Sequence, residues 1–245
     1  MKKSKSIFKA LLWPILLGVG QFFISFCLFL YFASQNPSLK GQALTHSFAS
    51  YLGNYLWIPI LWNLLVFLPL FWHHYQKYKI PNQELTKSTI FSIVTLSFPL
   101  CIGLNLLLAL LKENTSSSFS LLFLISSSIM GPLLEEITFR GIAYQEIQKA
   151  FSKKTSIIFI TCVFAFFHQG LLQILYAFCM GFLFFFLQEK HHSIFASIIS
   201  HTSVNALAYF LSFVFPIVPN LYKGLIGVSF LFLFAFILHK QLKNT

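Results

Sequence analysis

The feature that most constrains this chain is a succession of long apolar runs separated by short polar stretches. They occupy residues 7–32, 51–72, 90–111, 119–134, 155–167, 171–187, 194–215 and 221–238. A helix crosses the hydrocarbon core of a bilayer with about 20 apolar residues, and shorter segments fit beside cavities. Composition removes the alternatives. Of 245 residues, 57% are hydrophobic and 9% charged, whereas a soluble domain carries roughly a quarter charged residues to cover its surface. A soluble enzyme and a disordered chain are both excluded. The 32 phenylalanines suit lipid-facing helices. The expected fold is all-α: a polytopic membrane bundle of about eight transmembrane helices in one membrane-embedded domain spanning residues 1–245, with no internal repeat.

The formal net charge of +11 reads as membrane orientation, not nucleic-acid binding, because cytoplasmic loops gather Lys and Arg. With the N-terminus inside, the inner side receives Lys2, Lys3, Lys5, Lys9, Lys77, Lys79, Lys87, Arg140, Lys149, Lys153, Lys154, Lys190, Lys240 and Lys243. The outer side receives Lys40, Lys112 and Lys223. This asymmetry predicts a multi-pass cell-membrane protein with both termini cytoplasmic. The first run follows a lysine cluster but is too long for a signal-peptide core and lacks a small-residue cleavage site, so it reads as a retained helix. Cys27, Cys101, Cys162 and Cys179 lie in apolar runs without CxxC spacing. They read as small buried hydrophobes, not as a disulfide framework or zinc site.

Ionisable groups inside a membrane segment persist when they are paired or functional. Asp is absent, and only six Glu occur. Glu84, Glu113 and Glu189 fall in predicted solvated loops, and Glu146 on an interfacial helical extension. Glu135 and Glu136 instead follow the fourth apolar run directly, with the only arginine, Arg140, four residues after Glu136. On a helix that spacing lets Glu136 and Arg140 face each other, while Glu135 points about 100° away. A helix-end ion-pair cluster accounts for Glu136 and Arg140, but not for the second carboxylate.

Among the histidines, His73, His74, His191, His192 and His239 flank spans as interfacial anchors, and His46 lies in an outer loop. His168 closes an apolar run, and His201 sits within one, with Asn205 a turn later on the same face. If the fourth helix continues to about Lys149, the 1.5 Å rise per residue puts Glu135 about 21 Å, His168 about 20 Å and His201 about 12 Å from the inner end of their segments. These groups are within reach of one another inside the membrane, open to the cytosolic side. A helix of that length is expected to break or kink near Gly131-Pro132.

Glu135-Glu136 with Arg140, Phe164 with His168, and His201 with Asn205 match, in order, the EExxxR, FxxxH and HxxxN motifs of the CPBP intramembrane proteases. On these residues the chain resembles that family, the CAAX protease and bacteriocin-processing or Abi family, which includes the Rce1-type enzymes. The matching region runs from about Ser120 to Asn205. The resemblance implies a core over residues 119–215, preceded by N-terminal helices over 1–118 and followed by a C-terminal helix over 216–245. It also implies catalytic roles: Glu135 with His168 activates water, His201 and Asn205 stabilise the oxyanion, and Arg140 holds Glu136. No metal and no cofactor are expected. The partners are the lipid bilayer and a peptide or protein substrate, with no nucleic acid. A general base and donors aimed at a developing oxyanion are also what hydrolysis of a peptide bond requires on chemical grounds.

Four functions are weighed. The first is an intramembrane endopeptidase cleaving a peptide or protein tail, in bacteriocin or pheromone processing or in self-immunity. The second is a non-proteolytic bacteriocin immunity or regulatory membrane protein on the same fold. The third is a zinc protease using Glu135, His168 and His201, a donor set that suits a catalytic zinc, although HExxH is absent. The fourth is a small-molecule transporter, for which repeat symmetry is missing. Lys in excess of Arg and abundant Phe suggest a bacterial source.

Overall fold

The computed structural model describes residues 2–78, 82–111 and 119–243. Among them every regular element is helical. The helices are α1 (Lys2–Gln35), α2 (Gly41–Asn54), α3 (Trp57–Tyr75), α4 (Lys87–Ala109), α5 (Leu121–Gln148), α6 (Lys153–Phe166), α7 (Leu171–His191), α8 (Ile194–Val214) and α9 (Asn220–Lys243). Seven are long and apolar enough to cross a membrane; α2 and α6 are not among them. The chain is a polytopic all-α bundle.

The helices group into two compact units. One contains Met1–Lys79 and Ser120–Ser152, the other Ile80–Phe119 and Lys153–Thr245. In the first unit, α1 and α3 pack against the second half of α5. Trp13 of α1 meets Phe71 of α3 edge-on at 5.5 Å, and Phe71 is fully buried. Seven consecutive residues of α5, Ile137–Ala143, are all buried. Burial around the whole circumference marks a central helix.

Two irregular turns in this unit share a cause. Widened π-helical turns cover Asn63–Phe67 in α3 and Ser126–Met130 in α5. Each is followed by one residue and then a proline, Pro69 or Pro132. Proline has no N–H to donate, and its ring collides with the carbonyl four residues earlier. The preceding residue bonds one position further back instead, Leu68 to Asn63 and Gly131 to Ser126. The break expected at Gly131-Pro132 is therefore a π turn within a continuous helix. A second π stretch, Ile137–Ala143, follows the glutamate pair and contains Arg140.

In the second unit, α4 packs on α9, α8 and α7, and α7 also packs on α6 and α8. The α4–α9 approach is close: a methyl group added to Gly103 would lie 2.7 Å from Leu231 and 3.0 Å from the Gly227 carbonyl. Membrane helices use small residues in this way to bring backbones together. Helices α4 and α8 interlock through polar atoms. The Ser97 and Ser200 hydroxyls lie 2.7 Å apart, and one turn on, Cys101 Sγ lies 3.5 Å from the Val204 carbonyl. Helix α7 starts after Gly170, whose φ of +82° is a conformation glycine adopts freely. The far end of this hairpin is tied by an ion pair between Lys153 and Glu189.

Several sequence expectations change. The run at 155–167 forms α6, whose 14 residues extend about 21 Å at 1.5 Å each, short of a full span. The run at 51–72 is two helices, because the chain turns between α2 and α3, and His46 lies in α2. Glu189 is helical and ion-paired, not in a solvated loop. Cys27 and Cys179 are exposed on their helices, not buried. Lys223, assigned to an outer loop, is fully buried on α9. Lys79, Lys112 and Glu113 lie outside the described residues.

Candidate active site

Glu135 and Glu136 end the short α-helical stretch between the two π turns of α5. Glu136 and Arg140 are both 0% exposed. Arg140 Nη1 donates to Glu136 Oε1 at 3.0 Å, the i, i+4 pairing the spacing implied. Desolvating two charges is expensive, and the short contact within a fully packed segment is what offsets it. Glu135 is half-buried, with Oε1 3.9 Å from where a methyl group added to Gly131 would lie. At the end of α5, Glu146 is anchored separately. It accepts hydrogen bonds from the Tyr78 hydroxyl and from Lys149 Nζ, the latter at 2.7 Å. Burial first, then the Glu146 carboxylate, holds the Tyr78 hydroxyl above its usual range, so it stays a donor at neutral pH. Glu146 is therefore occupied as an anchor.

The second unit carries the two motif histidines, His168 and His201. His168 lies two residues beyond α6, and its backbone N–H bonds the Ala165 carbonyl at 3.0 Å. Its Nδ1 sits 2.9 Å from the Phe164 carbonyl. A carbonyl only accepts, so Nδ1 carries a proton, and the tautomer this selects has its lone pair at Nε2. His201 of α8 is 4% exposed. Its ring stacks on Phe184 of α7 at 4.4 Å with 23° between planes, and meets the edge of Phe164 at 5.8 Å. Phe164 also touches the His168 ring, at 4.9 Å. One phenyl ring thus contacts both imidazoles.

The α4 contacts set the rotation of α8. Ser200 and Val204 face α4. His201 and Asn205, each one residue on, are turned about 100° from them. Asn205 follows His201 by one turn and is half-buried. The structure thus brings Glu136 to Arg140 in one unit, and gathers His168 and His201 around Phe164 in the other. Phe164 appeared in the sequence reading only as the first letter of a motif, and Phe184 did not appear at all. Among 32 phenylalanines, nothing local distinguishes the one that stacks on a histidine of the following helix.

Residues 116–207 match the family model for type II CAAX prenyl endopeptidase Rce1-like proteins. The match contains all three motifs. No curated protein and no solved structure matches the chain.

Proposed function

Taking the Rce1-like character of residues 116–207 as the premise, we propose that this multi-pass membrane protein is an intramembrane endopeptidase whose base is Glu135. The likeness itself implies a peptidase and a peptide substrate. The proposal adds the mechanism and the residue roles.

Ionised Glu135 accepts a proton from a water molecule as the water oxygen attacks the scissile carbonyl carbon. His168, with its lone pair at Nε2, accepts a hydrogen bond from the other O–H of that water and orients it. The carbonyl oxygen becomes an oxyanion and takes hydrogen bonds from His201 and Asn205, which are stronger in the transition state than in the bound substrate. The proton on Glu135 then passes to the leaving amine, and the C–N bond breaks. Glu136, fixed by Arg140, is the catalytic neighbour that stays ionised and orients Glu135. The substrate is a peptide or protein tail, with bacteriocin or pheromone precursors as the expected class.

The observation that carries this reading is the family match across all three motifs. Its support in the structure is the buried Glu136–Arg140 pair and the paired histidine rings. The test uses purified protein in proteoliposomes with membrane-tethered peptides, run in heavy-oxygen water. The expected result is cleavage at one bond, with heavy oxygen in the new carboxylate. Absence of cleavage across a panel that includes prenylated CaaX peptides and unprenylated precursor tails would contradict it and favour an immunity or regulatory role.

A further inference from the structure

A cavity of about 650 Å³ opens beside the α6–α7 hairpin, and neither His168 nor His201 lines it. Its lining divides by chemistry. Lys153 at the start of α6, and Glu189, Lys190 and His192 at the end of α7, form the mouth. Ile157, Phe182, Phe185 and Phe186 form the walls. Phe182 precedes Glu189 by seven residues, so the apolar wall extends about 10 Å along the helix from the charged rim. That matches the depth over which headgroup gives way to acyl chain at a membrane interface.

The charge at the mouth is not balanced. Lys153 is ion-paired with Glu189. Lys190 meets a neutral partner: its Nζ donates to Gln241 Oε1 at 3.0 Å, and Gln241 Nε2 in turn donates to Ser92 Oγ at 2.9 Å. This relay from α4 and α9 holds the ammonium at the rim, over the Phe186 ring at 5.7 Å, and leaves its charge uncompensated. His192 adds a protonatable ring. It also occupies a left-handed conformation, φ 47°, at a helix end where glycine or asparagine is the usual residue. An unfavoured backbone at a cavity rim, kept with an imidazole on it, is a pointer to function.

We propose that this cavity is a binding site for one anionic phospholipid, whose phosphate sits against Lys190 and His192 and whose acyl chain lies along Ile157, Phe182 and Phe186. A soluble anion has no use for the phenyl walls, and a lipid of no net charge has no use for the excess cation. The site does not depend on the peptidase reading, and its test reads no proteolysis.

The full-length protein in detergent is titrated with phosphatidylglycerol, phosphatidylcholine or glycerol phosphate. Bound lipid is counted by native mass spectrometry, and melting temperature is followed in parallel. Phosphatidylglycerol is expected to bind saturably at one molecule per chain and to raise the melting temperature; the other two are not. Lys190→Gln should weaken phosphatidylglycerol about fivefold, as expected for one basic residue at a membrane surface. Ile157→Trp, which obstructs the apolar wall and keeps every charge, should weaken the stoichiometric site. His192→Gly relieves the left-handed strain, so it should raise the lipid-free melting temperature while weakening phosphatidylglycerol. Equal binding of phosphatidylcholine, full substitution by glycerol phosphate, or unchanged phosphatidylglycerol affinity in both Lys190→Gln and Ile157→Trp would overturn the assignment.

Discussion

Arg140 is the side chain that membrane burial penalises most, and the structure answers that penalty with Glu136 at 3.0 Å and a fully packed surround. Removing one member of a buried pair leaves the other charge uncompensated, which typically costs about 3–5 kcal/mol. Glu136→Ala should lower the melting temperature by an amount corresponding to that loss. Replacing both residues, Glu136→Leu with Arg140→Met, should recover much of the stability but no activity. Thermal melts and cleavage assays on wild type and these two variants check this. For His201 and Asn205 the expected signature is kinetic. Removing one oxyanion donor costs about 100- to 1,000-fold in turnover. Asn205→Ala should therefore lower kcat by that factor and leave KM nearly unchanged. If the pair only ties helices together, turnover per folded molecule will not change. At this scale the sequence was informative where spacing forces contact, as for Glu136 and Arg140. It was silent on Phe184, because stacking against His201 depends on how α7 and α8 pack, which no local spacing encodes.

Among the elements, the apolar runs located most helices, since a bilayer demands long apolar segments and little else of that length satisfies it. They could not locate the break between α2 and α3, which lies inside one continuous run, nor the π turn before Pro69, which arises from a proline that a hydropathy reading treats as neutral. The same applies to α4, where Gly103 looks unremarkable in sequence yet sits under Leu231 and the Gly227 carbonyl. A larger side chain there must push α9 away, because a backbone oxygen cannot rotate aside. Gly103→Ile should destabilise the protein by about 1–3 kcal/mol, as overpacking usually does. Activity should fall only with the folded fraction. Circular dichroism melts together with turnover per folded molecule measure both. Activity lost in fully folded Gly103→Ile protein would mean that α9 contributes to the reaction directly.

Over the whole molecule, α5 with its glutamates belongs to one compact unit, and α6–α8 with His168 and His201 belong to the other. Short α6 bears on topology as well. The Lys153–Glu189 pair joins its start to the end of α7, so the chain that precedes α7 must return over the length that α7 covers. Counted as a crossing, α6 keeps both termini on one side. Reporter fusions at the two ends should both read cytoplasmic, and a C-terminus on the outer face would remove α6 from the count. The central claim is that Glu135 and His168 serve one water molecule. Residues that act on one chemical event are non-additive when mutated. Turnover is measured for wild type, Glu135→Gln, His168→Ala and the double variant, each normalised to its folded fraction. The account predicts that Glu135→Gln abolishes cleavage with the melting temperature near that of wild type, that His168→Ala is severely impaired, and that the double variant is no worse than Glu135→Gln alone. Wild-type turnover in folded Glu135→Gln protein would contradict it.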